Sequence, residues 1–313
     1  MSTADAARLG YAFGVGAYLS WGLFPLYWKL LRPSSAVELL AHRILWSWLA
    51  VAAIVTVLSR WARVRHLVVQ PRRLGAISLV SALIAVNWGT YIYGVNTDRV
   101  VETSLGYFIT PLVSVLLGVF VLRERLRAGQ WVAVSIGTAA VGVLTVDYGR
   151  APHIALVLAA TFGLYGLLKK RLGLPAVDGL LVESAVLAVP ALVVIGVLTA
   201  RGGSTFGEVS SGHTALVMLT GVITAVPLLL FAGAANRIPL SGIGLLQYLT
   251  PVLQLGCGVL IYNEPMPRTR LVGFCLVWLA LVVFTWDGLR RVRDRSNAGR
   301  PRPDHEPAMS VAR

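Results

Sequence analysis

Runs of about 20 apolar residues, the length at which a helix crosses a hydrocarbon core of roughly 30 Å, recur along almost the whole chain. They fall at 11–31, 36–59, 74–95, 101–122, 130–147, 152–169, 178–199, 214–235, 240–262 and 270–289. At 56% hydrophobic and 13% charged residues, the chain of 313 carries more apolar surface than one water-soluble core needs. Inside a bilayer the backbone must satisfy its own hydrogen bonds, and open runs of this length do so as helices. The expectation is an all-α integral membrane protein with ten transmembrane helices. The first run exceeds a signal-peptide core, and "LYWKLLRPSS" follows it instead of a small-residue cleavage site, so it reads as a span.

The fourth and ninth runs write one phrase twice. "YFITPLVSVLLGVFVLRERL" from Tyr107 matches "QYLTPVLQLGCGVLIYNEPM" from Gln247 at an offset of 140, pairing Thr110 with Thr250, Pro111 with Pro251, Gly118 with Gly258 and Glu124 with Glu264. The same offset pairs Asn96 with Asn236, and "AVELL" from Ala36 with "AVDGLL" from Ala176. The repeat unit is therefore five helices, residues 8–147 and then 152–289. Five is odd, so the second copy enters the membrane from the opposite face, and the halves form two inverted five-helix repeats, a pattern of secondary transporters. The remainder, 290–313, is rich in Pro and charge without apolar period and reads as a disordered basic cytoplasmic tail.

Charge sets the orientation. With the N-terminus inside, 20 of the 28 Lys and Arg residues fall in inner segments and seven in outer ones, while Arg43 lies within a span. By the positive-inside bias both termini are cytoplasmic, in a multi-pass protein of the cell membrane. The net charge of +14 thus reports topology; nucleic acid is not a partner, because no basic soluble domain exists. Cys257 and Cys275 both fall inside spans and imply no disulfide framework.

Several stretches carry a family resemblance: "AYLSWGLFPLYWKLL", "HRILWS", "VNWGTYIYGVN", "ETSLGYFITPLVSVLLGV", "RER" and "QYLTPVL". Together they resemble the RarD-type members of the drug/metabolite transporter superfamily, whose halves are called EamA domains. The likeness runs from Gly10 to Asp287. It implies a ten-helix inner-membrane permease for a small metabolite or drug-like solute, with chloramphenicol suggested by the family label.

The residues themselves point to where such a solute would sit. Pro25, Pro111, Pro227 and Pro251 lie inside spans, where each leaves the carbonyl four residues earlier without its donor. Pro111 frees Tyr107 and Pro251 frees Gln247, so each copy of the phrase puts an open carbonyl at a kink; these are either cavity walls or packing kinks satisfied by Thr110 and Thr250. Asn87, Trp88 and Tyr91, with Tyr107, Gln247 and Tyr248, are candidate cavity residues, since aromatics with polar tips suit flat amphipathic solutes; an interfacial belt is the plainer reading of such aromatics. Arg43 costs roughly 2.5–3.5 kcal/mol within a span and needs a partner or water. Glu102, starting the fourth span, is expected nearer its depth than Glu183, which inversion puts at the mirrored level. The three are read either as a gate or anion anchor, or as a structural ion pair.

Absences narrow the class. No phosphate-binding Gly loop ending in Lys, no His/Cys metal cluster and no nucleophile motif occur in the sequence, so no cofactor, metal or enzymatic activity is expected. The longest outer loop, "RGGSTFGEVSSGH" from Arg201, reads as a flexible spacer. A secondary carrier working by alternating access, in the lipid bilayer and with a small-molecule substrate, explains the repeat, the kinks and the buried charge together; a non-transporting scaffold or channel is the alternative. Coupling to protons and homodimerisation are compatible with either.

Overall fold

The computed structural model describes residues 3–123, 128–173, 176–238, 242–243 and 246–298. These residues form helices α1 (Thr3–Gly22), α2 (Phe24–Leu30), α3 (Ala36–Val57), α4 (Trp61–Val68), α5 (Pro71–Asn96), α6 (Val100–Leu122), α7 (Ala128–Tyr148), α8 (His153–Leu172), α9 (Ala176–Ala200) and α10 (Ser211–Ala235). After them come α11 (Leu249–Gly256), closed by a π turn over Cys257–Ile261, and α12 (Arg268–Ala298). No strand occurs among the described residues. Seven of the helices are long and apolar enough to cross a membrane, and His153–Lys169 and Leu249–Ile261 are shorter apolar helices.

Local sequence sets the ends. Ser35 caps α3 by accepting from the Glu38 amide at 3.2 Å, and Ser210 caps α10 by accepting from His213 at 3.0 Å. Pro71 stands in the first turn of α5, where its missing N–H removes no helix bond. Pro25 does more: the expected first span divides at Leu23, and α2 restarts with Pro25 in its first turn. The carbonyl of Trp21, four residues back, takes its bond instead from Gln254 Nε2 of α11 at 3.2 Å. A local proline thus creates an acceptor that fastens the first helix to a distant one.

The apolar outer surface, with Val57, Phe120 and Leu260 each about four-fifths exposed, fits lipid as the surrounding solvent. Within the bundle α3 packs on α9 and α10, α5 on α8 and α9, α1 on α10 and α11, α6 on α8 and α11, and α7 on α12. Contacts are close where small residues allow it. At Gly221 of α10 a Cβ would fall 2.3 Å from the Trp46 carbonyl oxygen, so any side chain there would push α3 away. Trp46 and Trp48 are both partly covered.

Two sequence readings are corrected, and one further helix is found. A short amphipathic helix, α4, stands between the second and third spans, with Val64 and Leu67 buried and Arg63 and Arg65 exposed. Residues 290–298, expected to be disordered, continue α12, and 299–313 lie outside the described residues. The Gly/Ser loop after Arg201 is pinned, not free. Buried Glu38 accepts from the amides of Thr205 at 2.7 Å and Phe206 at 3.2 Å, and from the hydroxyls of Ser204 at 3.1 Å and Thr205 at 2.9 Å. Phe206 then stacks on His42, one turn further along α3, with ring centroids 4.5 Å apart. Composition counted the glycines and could not see the carboxylate that satisfies the loop from another helix.

Candidate functional site

The repeated phrase can be followed residue by residue. Thr250 donates to the Tyr18 carbonyl at 2.9 Å and ties α11 to α1, whereas Thr110 donates within its own helix to Gly106 at 2.9 Å. At Gly258, in the π turn, a Cβ would meet the Val101 side chain at 2.8 Å and its amide nitrogen at 3.1 Å, so glycine lets the turn lie against the start of α6. That approach delivers Glu264, whose two oxygens accept from the Val100 amide at 2.6 Å and the Val101 amide at 2.8 Å. The carboxylate caps α6 from outside, at the positive end of its dipole. Burial pushes the Glu264 carboxyl above the usual carboxylate range, against the pull of those two amides. Glu124, its counterpart, lies outside the described residues.

The same end of the bundle is laced by further carboxylates. Asp98 pairs with Lys29 and, at 3.0 Å, with Arg32, and the Lys29 bond holds its carboxyl below the usual range. Asp147 pairs with Arg270 at 2.8 Å. Glu102 pairs with Arg150 at 2.9 Å and accepts from the Ile154 amide at 3.0 Å, in the first turn of α8.

This geometry overturns the expected pairing of Arg43 with Glu102. Depth along the bundle decides which groups share a level, but azimuth decides which ones meet, and the first turn of α6 faces α8. Glu183 is committed as well. Lys169 Nζ sits 2.9 Å from its Oε1 as an ion pair outside hydrogen-bond geometry, and Tyr165 donates to its Oε2 at 3.0 Å. Among the described residues no acid comes within ion-pair distance of Arg43.

What surrounds Arg43, 4% exposed on α3, is aromatic. Its guanidinium centre lies 4.1 Å from the Trp88 ring of α5, 5.1 Å from Trp28 and 5.8 Å from Phe24, both of α2. Its Nε donates to Thr224 of α10 at 3.1 Å. Tyr91 and Tyr107 stand within electrostatic reach of the charge. From there a ring ladder leads through Tyr91, Tyr107, Phe162 and Tyr165, each centroid about 6 Å from the next, towards Lys169 and Glu183. Tyr107, in the middle of this ladder, is only partly buried.

Of the six candidate cavity residues, the structure gathers Trp88, Tyr91 and Tyr107 around this region. Asn87 turns the other way: its Nδ2 donates to the Leu158 carbonyl and the Thr161 hydroxyl, both at 3.0 Å, seaming α5 to α8. Gln247 is exposed in the turn before α11, and Tyr248 packs with the α6–α12 core around Phe108 and Phe274. Sequence reasoning missed Gln254, whose Nε2 also reaches the Tyr91 hydroxyl at 3.3 Å, and missed Trp28. A lone glutamine inside the apolar "TPVLQLG" was the available signal.

Comparison with known proteins decides the family. A model of the "EamA-like transporter family" matches residues 8–146. Protein RarD of Streptomyces exfoliatus is 51% identical over 98% of this chain and 100% of its own length. The chain belongs to the EamA-like transporter family, as a RarD-type member. The "Uncharacterized transporter YojE" of Bacillus subtilis (strain 168) is 42% identical over 90% of this chain and 95% of its own. A chain solved by crystallography shares the fold, with a TM-score of 0.57 at 18% identity over 91% of this chain and 98% of that one. The RarD-type chain is therefore a multi-pass membrane transporter, and its apolar outer surface and helical bundle are what such a transporter requires.

Proposed function

We propose that the chain is a secondary carrier that moves a small organic solute across the cytoplasmic membrane by alternating access, using two inverted five-helix repeats with both termini cytoplasmic. The observation that carries this reading is the exchange symmetry of the helix packing. Under the 140-residue offset α3 corresponds to α9, α5 to α10, α6 to α11 and α7 to α12, with the first helix matching α8. Each of the most extensive contacts then has a partner: α3 on α10 answers α9 on α5, α1 on α10 answers α8 on α5, and α1 on α11 answers α8 on α6. The pairs α3–α9, α6–α11 and α7–α12 answer themselves. Such an arrangement supplies two equivalent packings that can be exchanged, which is the mechanical requirement of alternation.

Individual acids follow the same rule. Glu38 holds the loop after α9, while its counterpart Asp178 is buried beside Arg60 of the loop after α3, at 3.9 Å and with no hydrogen bond to either oxygen. One end is thus heavily tied and the other lightly, as expected of a carrier resting closed on one side. The solute would lie against Trp88, Tyr91 and Tyr107, with the kinks at Pro111 and Pro251 shaping the helices that flank it.

Reporter fusions test the topology: an enzyme active only in the cytoplasm should work after Arg65 and Arg171 and fail after Arg201. Activity after Arg201 would sink the inverted model. Transport itself is read by comparing the metabolites retained by cells with and without the protein, then following the accumulating or depleted solute in vesicles. No difference in any solute would favour a non-transporting role.

A further inference from the structure

We propose that Arg43 is a binding site for the carboxylate of a small organic acid, with the aromatic rings around it holding the acid's flat apolar body; this rests on the carrier reading for its biological use and on the geometry alone for the site. A guanidinium presents five N–H donors. Among the described residues only Nε finds an acceptor, the Thr224 hydroxyl at 3.1 Å, and that hydroxyl already donates to the Thr220 carbonyl at 2.8 Å. The two terminal nitrogens have no hydrogen-bond partner among the described residues, and the residue keeps 4% of its surface exposed.

A structural arginine is expected to be neutralised by an acid or saturated by carbonyls, because an unpaired buried charge is costly. The buried acids set against Arg43 by the sequence, and the one on its own helix, are engaged elsewhere: Glu102 with Arg150, Glu183 with Lys169 and Glu38 with the 204–206 loop. Three ring faces offset part of the cost by cation–π attraction, yet they accept no hydrogen bond in the guanidinium plane. A second observation points the same way. Trp28, fully buried and 5.1 Å from the guanidinium, has an indole N–H with no acceptor. Unmet donors around one uncompensated positive charge call for an anionic acceptor. A carboxylate matches the guanidinium fork bidentately, and Trp88 and Tyr107 keep accessible surface on which a flat body can lie.

The test uses purified full-length protein in detergent at fixed ionic strength, with formate, acetate and benzoate as probes and benzamide as the uncharged isostere of benzoate. Thermal unfolding is followed against probe concentration, since a ligand that binds only the folded state raises the melting temperature in proportion to its occupancy. The carboxylates should raise it and benzamide should not, with benzoate binding more tightly than acetate because of its ring. Arg43→Gln should weaken benzoate by about tenfold or more, as removal of a charged hydrogen-bond donor does, and Arg43→Lys should retain part of the response. Silence from all three carboxylates, equal shifts with benzamide, or an undiminished benzoate shift in Arg43→Gln would each overturn the site. Arg43→Met supplies a check that needs no ligand: a charge kept for binding should melt no lower, or higher, when removed, whereas a structural charge should melt lower. Because none of these readouts involves transport, a protein that binds benzoate at Arg43 but moves no solute would count against the carrier and not against the site.

Discussion

Glu264→Ala tests what the repeated phrase does for the fold. The substitution strips the acceptor from two amides at the start of α6, Val100 and Val101, which are 0% and 1% exposed. A buried donor left without a partner costs about 1–3 kcal/mol. The two together give about 2–6 kcal/mol, and the space vacated by the side chain lets water recover part of it, which places the net loss near 2–4 kcal/mol. At roughly 2 °C per kcal/mol for a chain of this size, unfolding of the detergent-solubilised protein, followed by size exclusion after heating, should fall by about 4–8 °C. Glu264→Gln keeps the shape and one acceptor oxygen but turns an NH2 group towards the second amide, so it should land between wild type and Ala. Gly258→Ala should fall too, since its methyl forces the π turn off Val101 and carries Glu264 with it. A drop of less than about 1 °C in Glu264→Ala would refute the reasoning and reduce the shared Glu to a surface residue.

Charge exchange separates the observed ion pairs from the expected one. Arg43→Glu with Glu102→Arg should recover nothing, while Glu102→Arg with Arg150→Glu should recover part of the protein yield lost by either single change; recovery in the first pair alone would contradict the structure. Glu38→Ala removes the acceptor that holds residues 204–206, so hydrogen exchange in that loop should rise at least tenfold with little change elsewhere, and unchanged protection would show that Phe206 on His42 suffices.

The sequence announced the elements better than the contacts between them. Apolar run length predicted the helices because it measures the bilayer, and Pro71 and Ser35 mark starts by chemistry confined to one turn. The break at Leu23 was half legible: Pro25 shows that a carbonyl is freed, but only the fold reveals that Gln254, more than 200 residues on, accepts the task. The same limit governed Arg43. Its cost in a span was readable, but the partner of a helical side chain depends on rotation about the helix axis, which the length of an apolar run does not encode. Asn87 and Trp88 make the point within one dipeptide, since the first seams α5 to α8 and the second lies under the arginine.

The proposed inversion also accounts for the unequal buried charges. Arg43 and Glu183 are matched by the 140-residue offset, so on the proposed inversion two copies of one helix would carry opposite charges at mirrored depths, where they could not neutralise each other. Glu183 has acquired its own cation in Lys169, and the 140-residue offset matches that lysine to Lys29, which is turned to Asp98. The first half therefore uses its lysine to lace the end of the bundle and leaves its arginine among rings, while the second half neutralises its acid on the spot. Alternation as proposed needs two interchangeable packings, but a site that binds one solute in one orientation needs the symmetry broken at the level of side chains. The uncompensated charge at Arg43 is where this chain breaks it.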